Sequence, residues 1–194
     1  NKNKIKGEIF DKNFEILIND DQSQINFKLP KTGITADINF DTIKEGTKSS
    51  GAFKLSLLNL KTKLNFDYDD KKLDIYNFYL RSKNLSFNSS STIKYLPFFF
   101  SISTFQIEDI NTKILKKINI NKILNSRNFI KKLNIQNVIS FKSKNFSNNL
   151  INDLNLNINL SYGRLTFFKK IYISEDFLSC NGDVNLLKEY PILH

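Results

Sequence analysis

Residues Ser50 to Phe87 read SGAFKLSLLNLKTKLNFDYDDKKLDIYNFYLRSKNLSF. Apolar and polar residues alternate along this stretch: Phe53, Leu55 and Leu57, then Leu60, Leu64, Phe66 and Tyr68. The turn formers Asp69, Asp70, Lys71 and Lys72 interrupt the pattern, which resumes at Leu73 and Ile75 and again at Leu85 and Phe87. Successive side chains of a strand point to opposite faces, so the pattern predicts a β-hairpin with one apolar and one wet face. The phase shifts between Leu57 and Leu58, which a strand accommodates with a bulge or a bend. Phe78, Tyr79 and Leu80 are mixed in the same way, so the strand there has both faces covered or twists.

Working outward, the same design recurs. Upstream, Ile5 to Phe10 and Phe14 to Ile18 are joined by Asp11-Lys12-Asn13, a run of turn formers. Ile25, Phe27 and Leu29 alternate up to Pro30, and Lys31-Thr32-Gly33 turns the chain into Ile34, Ala36, Ile38 and Phe40. Residues 42–50 form a longer loop around Gly46. Downstream, Ile93 and Tyr95 lead to Pro97 and the most apolar patch of the chain: Phe98, Phe99, Phe100, Ile102 and Phe105. That patch is either a core strand or a contact with a lipid chain or a partner.

From Asp109 to Leu133 the spacing turns helical, at Ile110, Ile114, Leu115 and Ile118 and then at Ile123, Leu124, Phe129 and Ile130. Asn111 or Asn121 would cap a start, giving one or two short amphipathic helices within residues 111–132. Flanked by Lys116-Lys117 and Lys131-Lys132, such a helix would close a sheet edge or rest on a membrane surface. Strands return at Leu133 to Phe141 and at Leu154, Leu156, Ile158, Leu160 and Tyr162. Gly163-Arg164 turns into Leu165 and Phe167, Ile171 and Ile173 open a further strand, and Asn181-Gly182-Asp183 reads as a tight turn into Val184 and Leu186. The expected organisation is one β-rich segment: leading strands over 1–49, alternating hairpins over 50–110, a helical insertion over 111–132 and closing strands over 133–194.

Composition narrows the function classes. The 194 residues carry a formal charge of +10, which invites a nucleic-acid partner. Yet only Arg81, Arg127 and Arg164 among the 29 basic residues are arginine, the type suited to bidentate phosphate and guanine contacts. The lysines are dispersed among Asn, Ile and Phe rather than clustered, so a solvated face is expected and no nucleic acid, with weak attraction to anionic lipid headgroups as the reading in between. Cys180 is the single cysteine and His194 the single histidine, which argues against a disulfide, a metal site or His-based catalysis within this segment. Asp67, Asp69, Asp70 and Asp74 surround a turn and read as a solvated loop. Gly46, Lys48 and Gly51 lack phosphate-loop spacing. Neither an enzyme nor a cofactor is expected. No apolar run reaches the roughly 18–20 residues of a spanning helix. The chain has no methionine and opens at Asn1 just ahead of a strand-like run, as a piece of a longer protein would, with any anchor upstream.

Some twelve strands at about 4.8 Å would make a sheet roughly 55–60 Å across, and its apolar face must be hidden. It can fold over as a sandwich, close around its own core, close as a membrane barrel with apolar residues outward, or curl into a groove for acyl chains. A helical interruption and uneven strand lengths disfavour the membrane barrel. Periodicity alone leaves the sandwich, a structural or adhesive domain, level with the groove.

Several motifs together resemble the AsmA-like family of bacterial envelope proteins. They are Gly51-Ala52-Phe53, Tyr76-Asn77-Phe78-Tyr79-Leu80, Ser82-Lys83-Asn84-Leu85-Ser86, Pro97-Phe98, Ile107-Glu108-Asp109-Ile110-Asn111, Gly163-Arg164-Leu165 and Asn181-Gly182-Asp183-Val184. The resemblance implies a long, curled, antiparallel amphipathic sheet in the periplasm of a Gram-negative bacterium. It would belong to a protein anchored in the inner membrane outside this segment and conducting phospholipids toward the outer membrane. On that reading the acyl chains would lie against Ile34, Ile38, Phe40, Leu64, Phe66, Leu73, Ile75, Leu154, Leu156, Ile158, Leu160, Leu165 and Phe167.

Overall fold

The computed structural model describes residues 2–9, 11–41, 48–110, 126–142, 153–173 and 175–194. Strands follow one another along the chain: β1 Lys2–Ile9, β2 Lys12–Asn19, β3 Gln24–Leu29, β4 Ile34–Phe40, β5 Ser49–Leu57, β6 Leu60–Tyr68 and β7 Lys72–Arg81. They continue with β8 Leu85–Lys94, β9 Phe100–Ile110, β10 Asn134–Lys142, β11 Asp153–Ser161, β12 Arg164–Ile173 and β13 Asp176–Asn185. A single helical turn, α1 Arg127–Ile130, precedes β10. The thirteen strands form one sheet whose order in space is their order in sequence, so β1 and β13 are its two free edges and the sheet is open. It is the mainly β, curled, open architecture expected.

Pairing is antiparallel throughout with one departure from that expectation. β10 runs parallel to β9, with Ile135 opposite Ser101 and Phe141 opposite Ile107. The residues between Ile110 and Asn134 explain it. A parallel neighbour needs a connection long enough to return along the strand just finished, and only this one suffices among the pairs. Residues 111–125, where most of the expected helical insertion falls, lie outside the described residues, as do 42–47 of the expected loop; Phe129 and Ile130 do sit in α1.

Residues 50–87 make four strands, not one hairpin. The phase shift at Leu57-Leu58 is neither bulge nor bend: Leu57 pairs with Leu60 across a two-residue turn whose Leu58 has φ 52°. At Phe78-Tyr79-Leu80 the strand does shift register, between Ile75 and Phe78, with Asn77 at φ 51°. Two strand boundaries are corrected toward the C-terminus. Ile171 and Ile173 end β12 rather than open a strand, and Asn181-Gly182-Asp183 lies inside β13, paired with Phe168, Phe167 and Thr166. The second misreading takes Asn-Gly-Asp as a turn, whereas ladder pairing overrides local turn chemistry here. Tyr162 and Gly163 do form the β11–β12 turn, both with positive φ as a two-residue hairpin loop requires.

Register places the apolar residues predominantly on one face, with Leu17, Phe100, Ile102, Val138, Phe168, Tyr172 and Phe177 as exceptions on the other. One row runs Ile18, Ile25, Ile38, Phe53, Leu64 across β2 to β6. Another runs Leu80, Phe87, Ile107, Phe141, Leu154, Ile171, Leu178 across β7 to β13. The opposite face is wet: Asp37, Lys54, Lys63, Tyr79, Asn88, Gln106, Ser140, Asn155, Lys170 and Ser179 lie side by side in one row across it.

Three glycines on the apolar face sit under phenylalanine rings from the next strand: Gly7 under Phe14, Gly51 under Phe66 and Gly182 under Phe167. A ring laid over a glycine recovers packing that a strand glycine would otherwise forfeit. At Gly51 an added Cβ would meet the Asn39 carbonyl oxygen and come within 2.7 Å of the Phe66 ring. Gly51→Val is therefore expected to lower unfolding free energy by about 1–3 kcal/mol, read from the urea midpoint, through displacement of Phe66.

Candidate functional site

The residues expected to line a groove come together on the apolar face without exception. Ile34, Ile38 and Phe40 lie on β4, Leu64 and Phe66 on β6, and Leu73 and Ile75 on β7. Phe40, Gly51, Phe66 and Ile75 stand opposite one another across four strands. Leu154, Leu156, Ile158 and Leu160 lie on β11, with Leu165 and Phe167 of β12 opposite Leu160 and Ile158.

Between these two groups the face is carried by aromatic residues that the expected groove lining did not include. Phe78 and Phe87 have ring centroids 5.5 Å apart, and Phe87 and Phe105 5.7 Å, forming an aromatic lane over β7, β8 and β9. Ile139 and Leu156 extend it into β10 and β11. On the N-terminal side Phe14 stacks on Phe27 at 5.9 Å, and Phe40 meets Phe66 edge-on at 5.9 Å. Phe87 and Phe105 were visible in the sequence, but the serines at 89, 91, 101 and 103 interrupt the apolar pattern between them.

Those serines are the feature the apolar pattern did not reveal. Ser89 and Ser91 of β8, Ser101 and Ser103 of β9 and Asn137 of β10 occupy positions on the apolar face. Ser91 donates to Ser103 at 2.8 Å, and Ser101 and Ser103 are buried. A band of small polar side chains thus narrows the apolar lane toward Phe87, Phe105 and Ile139. Lys169 also lies on this face, opposite Leu156 and Cys180.

What distinguishes the face is that no second layer packs on it among the described residues. Among the described residues no large side chain is fully buried, and the one buried apolar residue is Ile130. Most of the lining side chains are half-buried, shielded by one another within the sheet. A sheet packed on a second layer would bury them. The geometry is a trough of aliphatic and aromatic surface.

The carboxylates lie on the wet face or in turns and are engaged locally. Asp67 accepts hydrogen bonds from Ser50, Lys48 and Tyr76, the Lys48 Nζ at 2.9 Å. Asp74 takes Lys72 Nζ at 2.7 Å and the Thr92 hydroxyl at 2.8 Å. Asp69 accepts the backbone N–H of Lys71 and of Lys72, which closes the turn. Among the described residues no three His, Cys, Asp or Glu side chains gather as a metal ion would require.

These bonds hold the carboxyls of Asp67 and Asp74 below their ordinary value of 3.8, through Ser50 and then Lys48 for Asp67, and through Lys72 and then Thr92 for Asp74. A depressed carboxylate stabilises the fold fully above its unfolded value, and that contribution is lost as pH falls through the lower folded value. The urea midpoint is expected to stay level from neutral pH to about pH 5 and to fall below about pH 4. Asp67→Asn with Asp74→Asn should lower the neutral plateau slightly and make the acid decline shallower.

Comparison of the chain with known protein families, with curated proteins and with solved structures finds no match, so the site rests on its geometry.

Proposed function

We propose that this chain is a non-enzymatic lipid-handling segment whose trough holds phospholipid acyl chains along a path across the strands. The observation that carries this reading is a single apolar face, continuous from β1 to β13, with no covering layer among the described residues. An acyl chain costs about 0.8 kcal/mol per methylene in water. Full cover of a chain of about fifteen methylenes would be worth on the order of 12 kcal/mol, and a trough open on one side roughly half of that.

Such a site needs no fixed polar contact with the tail, so its role is spread over many side chains and no one of them dominates. The resemblance to the AsmA-like family supports the same reading. With it come transport between the inner and outer membranes, a periplasmic location and an anchor in the inner membrane outside this segment. The self-packed sandwich is disfavoured by the absence, among the described residues, of facing side chains that fill a core.

The test is mass spectrometry of the purified protein for co-purifying lipid. Ile158 faces Phe167 on one side and Asn137 on the other, so Ile158→Arg puts a charge on the floor of the trough. The wild type is expected to carry phospholipid and the arginine variant, matched for β content by circular dichroism, to have lost most of it. Photocrosslinkers at Phe66 and Leu156 should capture lipid in cells. Folded wild type free of lipid, with no crosslinks at either position, would sink the reading.

A further inference from the structure

We propose that one rim of the sheet, where β8 ends and β9 begins, is a docking surface for an anionic phospholipid bilayer. Strand directions fix which loops share this rim. Lys94 at the end of β8 pairs with Phe100 at the start of β9, and Ser101 lies beside Ile135 at the start of β10. Asn134 pairs with Ser161 at the end of β11, and Arg164 at the start of β12 pairs with Asn185 at the end of β13. The segments 95–99, 126–133, 162–163 and 186–194 therefore leave the sheet on the same side. Six strands at about 4.8 Å spread them along a line roughly 24 Å long.

Each of these segments presents large apolar side chains to solvent. Phe98 is 73% exposed, Phe129 65%, Tyr162 54% and Tyr190 77%, with Leu96 and Ile192 beside them. These are not the ends of loose loops. Ile130, next to Phe129, is only 5% exposed and its N–H donates the helical bond to the Ser126 carbonyl, so the turn is seated and Phe129 is turned outward by it. Tyr162 N–H donates to the Leu133 carbonyl at 2.8 Å, and Leu186 N–H to that of Gly163 at 2.9 Å, tying neighbouring segments together. Leu187 lies directly against Gly163, where any Cβ would collide with it. Tyr95 N–H donates to the Lys71 carbonyl, and the Tyr95 hydroxyl to that of Asp69.

The opposite rim differs. Its described turns present Asp11, Lys31-Thr32-Gly33, Ser82-Lys83-Asn84 and Glu175, with Leu58 as the apolar exception. Among the described turns, apolar tips are thus collected along one side of the sheet, over β8 to β13.

Charge selects the occupant. Exposed Lys94, Lys131, Lys132 and Lys188 flank the apolar tips, while Glu189 is the one acidic side chain within the four segments. Phe and Tyr tips among lysines suit the boundary between headgroups and acyl chains, where rings sit at the interface and cations meet phosphate. Separate tips in a line can each enter a fluid headgroup layer, whereas a protein partner of ordinary interface size needs a contiguous surface. Docking through the rim does not depend on what the trough holds.

The experiment is flotation of the full 194-residue chain with vesicles of phosphatidylglycerol and phosphatidylethanolamine, and with phosphatidylcholine vesicles. The wild type should float with the anionic vesicles, less so with phosphatidylcholine, and less at high salt because screening weakens the lysine contribution. The triple variant Phe98→Ser, Phe129→Ser, Tyr190→Ser should lose at least about tenfold in vesicle affinity. Leu58→Ser, at the other rim, should float as the wild type does. Circular dichroism and urea midpoints of the triple variant confirm its fold. A wild type that stays with no vesicle overturns the proposal. So does a triple variant that floats undiminished, which would put membrane contact on the trough instead. A wild type that associates with itself in light scattering, through residues the triple variant removes, and ignores vesicles would assign the rim to a second copy.

Discussion

Strand side chains repeat every two residues, so one slip anywhere in a thirteen-stranded ladder would turn the rest of its apolar set to water. The whole architecture depends on conserving that parity. Each connection between described strands does so, and so does each irregularity. Where β7 gains a residue between Ile75 and Phe78, the face passes from Ile75 to Phe78 and Leu80. Where β8 and β9 shift between Ser86 and Phe87, Leu85 still stands opposite Ile110 and Phe87 opposite Ile107. The extra residues are absorbed where the strand bends, which adds twist and favours a curled sheet over a flat one.

Parity alone would give an apolar plane. What makes it a trough with local relief is the choice of side-chain size. Glycines at positions 7, 51 and 182 let phenylalanine rings lie down along the sheet instead of standing away from it. Serines at 89, 91, 101 and 103 lower the floor in the middle, and their hydroxyls are partly satisfied by each other, Ser91 to Ser103. Because both partners of that bond are hydroxyls, removing one would strand the other, while replacing both by apolar groups would cost little. The apolar path over β8 and β9 therefore runs on the side of Phe87 and Phe105, not over the whole face.

The strand pattern and the identity of the apolar face were legible in the sequence because alternation reports a half-buried sheet directly. Ile34, Ile38 and Phe40, or Leu154 to Leu160, could be assigned to one face before any coordinates. The errors are local and share a cause. Leu57-Leu58 looked like a bulge because the hairpin turn carries a leucine rather than a turn former. Asn181-Gly182-Asp183 looked like a turn because its glycine serves Phe167, a partner fifteen residues upstream that no local reading can see. The parallel β10 was beyond reach, since alternation is the same in either direction. The rim was equally hidden. Phe98, Phe129, Tyr162 and Tyr190 are far apart in sequence, and only strand direction brings their loops to one side.

An open sheet invites association at its edges, and the two edges are handled differently. On β1, Lys4 and Lys6 project from the wet face, and Lys4 pairs with Glu15 of β2 at 3.0 Å. A charged edge strand discourages a further strand from adding. On β13 the chain itself returns: Val184 bridges to Leu193, and Asp183 and His194 exchange backbone hydrogen bonds at 3.0 Å. Arg164 holds Asp183 from the other side at 3.0 Å, so the last pairs of the ladder are braced on both flanks. Edge protection of this kind leaves the apolar face as the remaining source of instability. Each lining side chain is half-exposed, and the free energy still available from covering it grows with every methylene brought in. On the proposed reading an acyl chain would supply that cover, following the Phe and Gly relief and stepping around the serine band.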